Sequence, residues 1–288
     1  MRQERIDSIV KNIQQSIYKQ ATDRFINYFA LDLHQLLPKS TIAVIESVAK
    51  QHDPSEQELC ADFKYLSEEK PEGVIRYIDL VLISHNHYDH LDRSSIRDLI
   101  KHQPSIQFMV PLGLAHKLHK WGAVDVIELD WWQAIKFEDV EIQPTPVQHW
   151  SKRSLFDRNK SLWAGWMIKW DDFSFYFAGD SGYSDDFKET AKKLGSPTLA
   201  AIPIGAYEPR DFMKASHMNP EEAVKTFNDL GAKYGVALHW GTFKLTTERM
   251  DEPPERLLQS LKDQEISSDK FRALGHGEKW DAPFSEIM

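Results

Sequence analysis

The chain has 288 residues, of which 41% are hydrophobic and 27% charged, a composition typical of globular proteins. Its formal net charge of −9 argues against nucleic acid as a partner, because proteins that bind nucleic acid carry a basic surface. The single cysteine, Cys60, excludes a disulfide within the chain and a cysteine-rich zinc site. It also suits a reducing compartment.

The first residues, MRQERIDSIVKNIQQ, are charged and lack the apolar core of a signal peptide. No run of about 18 apolar residues occurs, so the sequence predicts no membrane span. We therefore expect a cytoplasmic protein whose contact with a membrane, if it has one, is peripheral.

The first fifty residues have apolar side chains at helical spacing. Ile6, Ile9, Ile13 and Ile17 would lie on one helix face, and a second helix at 22–37 would end at Pro38. The polar and acidic stretch that follows reads as a linker. These patterns predict a helical segment with an acidic linker at 1–71 and a separate domain at 72–288.

From Ile78 onward, short apolar runs alternate with amphipathic segments. Strands are predicted at 78–84, 106–110, 124–129, 140–147, 162–170, 173–179, 199–205 and 235–241. Helices are predicted at 94–100, 188–194, 219–230 and 253–261; Pro220 suits the first position of the third helix. Strands that alternate with helices indicate a layered α/β fold.

One short segment concentrates potential metal ligands. SHNHYDHLD (84–92) directly follows a predicted buried strand and contains His85, His87, Asp89 and His90 within six residues. Imidazole and carboxylate donors suit zinc. A histidine-rich polar loop is the alternative, but three histidines and an aspartate at the end of an apolar strand are more typical of a metal site.

Three further candidates lie at comparable positions. His149 follows VEIQPTPVQ, Asp180 follows FSFYFAG and His239 follows GVAL. Alone, each would be interpreted as an ordinary polar residue. Their repeated placement after apolar runs predicts that all three emerge at one rim of a sheet and complete a two-metal site.

HxHxDH, followed by His, Asp and His at later strand ends, resembles the metallo-β-lactamase superfamily. Longer motifs are similar to those of N-acyl-phosphatidylethanolamine phospholipase D and its bacterial relatives. These motifs are ELDWW (128–132), QHWSKR (148–153), FAGDSGY (177–183), AAIPIGAYEPRDFM (200–213), HMNPEEAV (217–224), HWGTF (239–243) and EPP (252–254). The resemblance spans 78–276.

The resemblance implies an αββα sandwich with two zinc ions at its edge. Members of the family begin with two or more strands before the HxHxDH strand, and here we expect the N-terminal helices in their place. The resemblance implies that one ion is held by His85, His87 and His149. The other ion would be held by Asp89, His90 and His239, and Asp180 would bridge the two.

The resemblance also implies an activity, the release of N-acylethanolamine and phosphatidic acid from a phospholipid. Asp89 would orient the attacking water, and His217 would donate a hydrogen bond or a proton to the substrate; a capping or packing role is the alternative for His217. Tyr207 and Arg210 are candidate substrate contacts, and a structural ion pair is the alternative for Arg210.

Two other functions are compatible with the sequence. The chain could be a dinuclear hydrolase of another ester, a lactone or a soluble phosphodiester. It could also be an inactive metal-binding relative whose N-terminal segment has an interaction role. An unpaired sheet edge would favour association of two copies of the chain.

Overall fold

Two β-sheets form the centre of the protein in a computed structural model that describes residues 79–170, 173–275 and 280, and three strands nearer the N-terminus. In spatial order, the first sheet contains β1 (Ile13–Ile17), β2 (Arg24–Asp32), β3 (Thr41–Lys50), β4 (Leu80–Ile83), β5 (Gln107–Pro111) and β6 (Asp125–Leu129). β1, β2 and β3 pair antiparallel, whereas β3 to β6 run parallel.

The second sheet contains β7 (Ile135–Phe137), β8 (Val140–Thr145), β9 (Gly165–Trp170), β10 (Phe173–Phe177), β11 (Leu199–Pro203), β12 (Tyr234–Leu238) and β13 (Phe271–Arg272), in this order. The helices are α1 (Arg93–His102), α2 (Ala115–Trp121), α3 (Asp186–Leu194), α4 (Arg210–Met213), α5 (Pro220–Leu230) and α6 (Glu252–Asp263). Within the described ranges, no helix is both long and apolar enough to cross a membrane.

Alternating side chains on the strands build three apolar layers. On β4, Leu80 and Leu82 point into the layer between the two sheets, where they join Trp166 of β9. Val81 and Ile83 point the other way, into a layer that α1 and α2 cover. The outer face of the second sheet packs on α5 and α6. Helices therefore cover both outer faces, which confirms the predicted αββα sandwich.

The predicted helices of the first fifty residues are wrong where the structure describes this region. Residues 13–17, 24–32 and 41–50 are strands, and β3 extends the first sheet by pairing with β4. The sequence RFINYFALD of β2 satisfies helical spacing because it is apolar at most positions, but its aromatic and β-branched residues favour a strand. Strands, not helices, therefore precede the HxHxDH strand.

The acidic linker and the boundary between 71 and 72 lie outside the described residues, and the predicted division into two segments stays a prediction. The strands and helices predicted after Ile78 are confirmed within a few residues of their bounds. Four short elements, α2, β7, α4 and β13, were not predicted. Helix α2 could not be predicted from apolar spacing, because Leu118 is its one buried residue in the described part of the chain and its sequence has no apolar stripe.

Trp166 links the core to the segment that carries the HxHxDH motif. Its side chain is fully buried, and its Nε1 donates a hydrogen bond of 3.1 Å to the carbonyl of Ile83, the last residue of β4. We expect Trp166→Phe to lower the free energy of unfolding by about 1–3 kcal/mol, because the bond is lost and a small cavity remains. Urea titration of metal-saturated protein measures this change.

Trp170→Phe is the matched control. Trp170 lies in the same apolar layer, but among the described residues its buried Nε1 has no hydrogen-bond partner. Removing an unpaired buried N–H should cost much less. Equal losses for the two variants would contradict the role assigned to the bond between Trp166 and Ile83.

Candidate metal centre

Residues 84–92 form a tight turn between β4 and α1. The backbone N–H groups of His90 and Leu91 both donate to the carbonyl of His87, at 3.2 and 2.9 Å. Asp92 then begins α1 as its N-cap, accepting a hydrogen bond from the N–H of the third helical residue. A buried strand on one side and a capped helix on the other thus fix the turn that carries four of the candidate ligands.

The other three candidate ligands follow strands of the second sheet. His149 lies after β8, Asp180 after β10 and His239 directly after β12. His239 has a φ of 57°, in the left-handed region that few side chains adopt. Its carbonyl oxygen approaches Gly205 so closely that a Cβ atom there would lie 2.0 Å from it. Gly205 is therefore required for the position of His239.

The structure brings all seven candidate ligands together. They form two groups that share Asp180, and the ligand atoms of each group lie within 4.8 Å of one another. The grouping is the same as the one that the family resemblance implies. The first group is His85, His87, His149 and Asp180, and the second is Asp89, His90, Asp180 and His239.

The spacing of the ligand atoms fits a metal ion. In the first group, Nδ1 of His87 lies 2.8 Å from Nε2 of His85 and 3.2 Å from Nε2 of His149. Four ligands at about 2.1 Å from a tetrahedral ion stand about 3.4 Å apart. A neutral imidazole carries one N–H, so hydrogen bonds alone cannot satisfy three ring nitrogens that face one another. A cation between them accepts all three lone pairs.

The second group has a similar spacing. Nε2 of His90 lies 3.3 Å from Nε2 of His239 and 3.0 Å from Oδ2 of Asp180, and Oδ2 of Asp89 lies 3.4 Å from Nε2 of His90. With its imidazole and carboxylate donors, this cluster in this fold is a site for a divalent metal ion.

Hydrogen bonds outside the cluster orient two of the ligands. Nδ1 of His149 donates to the carbonyl of Ser216 at 2.9 Å, so the neutral ring presents the lone pair of its Nε2 to the cluster. Nδ1 of His85 contacts the Ser84 hydroxyl at 3.0 Å. Burial holds the pKa of His85 and of His149 well below the usual value and lowers the pKa of His87 to about 4. These rings are therefore neutral near pH 7, as metal binding requires.

In the second group, the carboxylates of Asp180 and Asp89 raise the pKa of the histidines. Burial alone would lower the pKa of His90, but Asp180 and Asp89 hold it well above the usual value, and the pKa of His239 is raised for the same reason. Burial disfavours the ionised carboxyl groups, yet the facing histidines keep the pKa of both aspartates well below the usual value. Buried negative charge is thus a fixed feature of this site.

His217 lies beside the cluster. Its ring centroid is 5.3 Å from that of His149, and its Nδ1 is 4.0 Å from Oδ2 of Asp180. Nδ1 is buried and makes no hydrogen bond within the described part of the chain. Burial lowers the pKa of His217 to about 4, so the ring is neutral near pH 7.

Tyr207 and Arg210, the candidate substrate contacts, have protein partners. The buried Tyr207 hydroxyl donates to Glu252 at 2.8 Å. Arg210 forms an ion pair with Glu222 and donates to the carbonyl of His217 at 2.8 Å. The structural ion pair that was the alternative for Arg210 is therefore present, and substrate contact by either residue stays a prediction.

Arg153 and Asn86 support the site, although no role was predicted for either residue. Nη1 of Arg153 donates to the carbonyls of Asn86 and His87, at 2.9 and 3.2 Å, and to that of Leu91. The side-chain oxygen of Asn86 accepts from the N–H of Lys152 at 2.8 Å. The available signal was the position of each residue: Asn86 lies inside HxHxDH, and Arg153 is the last residue of the QHWSKR motif that contains His149.

Comparison with known proteins gives the family of the chain. Residues 53–240 match the family model described as the beta-lactamase superfamily domain. The chain therefore belongs to the metallo-β-lactamase superfamily, and its fold and ligand cluster are those of a metal-dependent hydrolase.

Among its relatives, a Caenorhabditis elegans protein named N-acyl-phosphatidylethanolamine-hydrolyzing phospholipase D 1 is 39% identical over 221 residues, covering 71% of this chain and 61% of that protein. A mitochondrial Saccharomyces cerevisiae protein with the same activity in its name is 39% identical over 186 residues, covering 62% of this chain and 40% of its own length. The chain thus spans less than two thirds of either relative.

A solved structure shares the fold. The metallo hydrolase Igni18 from Ignicoccus hospitalis has a TM-score of 0.60 at 20% identity, covering 91% of this chain and 95% of its own.

The raised pKa values of His90 and His239 predict that metal binding releases protons. The raised pKa of each ring favours its protonated form in the metal-free protein, and the ion must displace that proton, so zinc binding should release protons. Affinity should accordingly weaken as pH falls. Calorimetric titration of Zn²⁺ in two buffers of different ionisation enthalpy measures the release; identical heats in both buffers would contradict it.

Arg153→Met should weaken zinc binding about 10- to 100-fold, because the carbonyls that hold the ligand turn lose their donor. Competition with a chromophoric chelator measures the affinity. Arg97→Met is the control, since Arg97 is exposed on α1 and lies outside the ligand turn. If both variants bind zinc like the unchanged protein, Arg153 does not organise the site.

Proposed function

We propose that the protein is a zinc-dependent phosphodiesterase that hydrolyses N-acyl-phosphatidylethanolamine to an N-acylethanolamine and phosphatidic acid. The observation that carries the proposal is the pair of four-ligand groups that share Asp180, in a chain similar to phospholipases D named for this substrate.

Two zinc ions are proposed because each group offers a full set of nitrogen and oxygen ligands, the donors that zinc prefers. When bound, the ions would make a water molecule acidic enough to attack phosphorus near neutral pH and would neutralise charge on the phosphodiester oxygens. Asp180, buried between the groups, would hold both ions at a fixed separation.

Asp89 and His217 are proposed to act on the reacting groups. Oδ2 of Asp89 lies 3.6 Å from Nε2 of His239 within the second ligand group, which supports a role for this carboxylate in accepting a hydrogen bond from the attacking water. The lowered pKa of His217 supports a neutral imidazole that donates one hydrogen bond to a phosphate oxygen, in preference to a charged general acid. Arg210 would hold His217 through its carbonyl.

A phospholipid substrate places the reaction at a lipid surface, so we also propose a cytoplasmic protein in peripheral contact with membranes. Association into a homodimer stays a prediction from the sequence.

The test is turnover of N-acyl-phosphatidylethanolamine dispersed in detergent micelles, with both products identified by mass spectrometry. Metal-saturated protein should release N-acylethanolamine, and chelated protein should not. A panel with a lactone and a soluble phosphodiester separates the alternatives: turnover of these without N-acylethanolamine release would replace the proposed substrate. Turnover of none, with zinc bound, would support an inactive relative.

His217→Gln should lower kcat/KM by about 10²- to 10⁴-fold while zinc content stays at about two ions per chain. Elemental analysis checks the zinc. His119→Gln is the control, because His119 lies on α2, donates a hydrogen bond to the carbonyl of Ala123 and is not in the ligand cluster. Loss of zinc together with activity in His217→Gln would show a structural role instead.

A further inference from the structure

A loop at the rim of the metal centre exposes two large apolar side chains. Leu155 and Phe156 follow the ligand His149 by six and seven residues, and each is 82% exposed. Two adjacent apolar side chains at this exposure have no role in the core, and an exposed apolar patch marks a contact surface.

Hydrogen bonds fix the shape of this loop, residues 151–161. Oδ1 of Asp157 accepts from the N–H groups of Arg153 and Ser154, at 2.9 and 2.7 Å, which closes a turn around Leu155 and Phe156. At the base, the Ser151 hydroxyl donates to a carbonyl at the far end of the loop at 2.6 Å. These hydrogen bonds hold the loop in a shape that exposes Leu155 and Phe156, so little conformational entropy of the loop is lost when the two side chains bind a partner.

The charge around the pair is positive. Besides the internally bonded Arg153, the loop carries Lys152, Arg158 and Lys160 against one carboxylate, Asp157. The chain as a whole has a formal net charge of −9, so this local excess of cations is opposite in sign to the overall charge. Cations of this kind attract anionic lipid headgroups, while an apolar tip enters the acyl region beneath them.

Other exposed apolar side chains lie on segments that carry or contact metal ligands. Tyr88 lies inside the ligand turn, Phe212 lies on α4 shortly before the segment that contacts His149, and Leu245 lines a pocket beside His239. Lys214 and Lys244 lie close to the last two in sequence. The combination of apolar and basic groups thus recurs on segments that carry or contact the candidate ligands.

We propose that this rim docks on the surface of an anionic phospholipid bilayer, with Leu155 and Phe156 inserted among the lipids. The observations that favour lipid are the apolar tip held by hydrogen bonds, the cations beside it, and the bonds from Arg153 that join this loop to the ligand turn. The choice of phospholipid rests in part on the proposed function, but docking itself requires no turnover.

The test is co-sedimentation of the full-length, zinc-loaded protein with vesicles that contain no N-acyl lipid. The vesicles are phosphatidylcholine alone or phosphatidylcholine with phosphatidylserine. We expect binding to the anionic vesicles, and a fall of about 100-fold in partitioning for the double variant Leu155→Ser/Phe156→Ser. Replacing Lys152, Arg158 and Lys160 by Gln should reduce binding to the anionic vesicles about fivefold per charge.

Val124→Ser/Leu258→Ser is the matched control. These side chains are 82% and 55% exposed, but they lie outside the rim segments, so binding should not change. Zinc content and melting temperature show that each variant is folded. The proposal is overturned if the unchanged protein ignores anionic vesicles, if the two double variants bind alike, or if sedimentation velocity shows that Leu155 and Phe156 join two copies of the chain that bind no vesicle. Because the vesicles lack substrate, this failure is distinct from absence of turnover in micelles.

Discussion

The carboxylate of Asp180 lies at the centre of the ligand cluster, where it is 3% exposed and within 4 Å of ring nitrogens from five histidines. Burying a carboxylate is unfavourable unless positive charge compensates it, and most of these imidazoles are kept neutral by their own burial. The raised pKa values of His90 and His239 favour positive charge on two of the five rings, and a divalent metal ion bound here would add more. His85 and His90 come from the first sheet, whereas His149, Asp180 and His239 come from the second. A bound metal ion would therefore join loops that follow strands of both sheets, which would link the stability of the sandwich to metal binding.

The sequence was sufficient to predict the seven residues that the structure brings together, because each has a local signal. A short apolar strand precedes each ligand or ligand cluster, and strands of a layered α/β fold deliver such residues to one rim. The supporting residues have no such signal. Arg153 acts through carbonyl groups more than sixty positions away, and His149 is oriented by the carbonyl of Ser216. Every residue has a backbone carbonyl, so the residue type does not indicate which carbonyl will accept a hydrogen bond. Only the folded chain shows these partners.

The error at the N-terminus has a different physical origin. The sequence of β2 is apolar at so many positions that periods of two and of 3.6 both fit it. The strand conformation is favoured because β3 pairs with β2 on one side and with β4 on the other. β4 is distant from both in sequence. A partner supplied by another part of the chain overrides the local pattern, because backbone hydrogen bonds between strands do not depend on the spacing of side chains. The helix-like spacing therefore carried no information about the sheet.

The loop at 151–161 connects the metal centre to the proposed docking surface. Arg153 holds the ligand turn from one side, and two residues later the exposed Leu155 begins the apolar tip. Asp157 accepts a hydrogen bond from the N–H of Arg153 and so closes the turn that connects Arg153 to the apolar tip. If the tip enters a bilayer as proposed, the same hydrogen bonds would hold the ligand turn close to the headgroups. A phosphodiester would then reach the metal centre while its acyl chains remain in the lipid, so the proposed substrate would not have to leave the membrane completely to react.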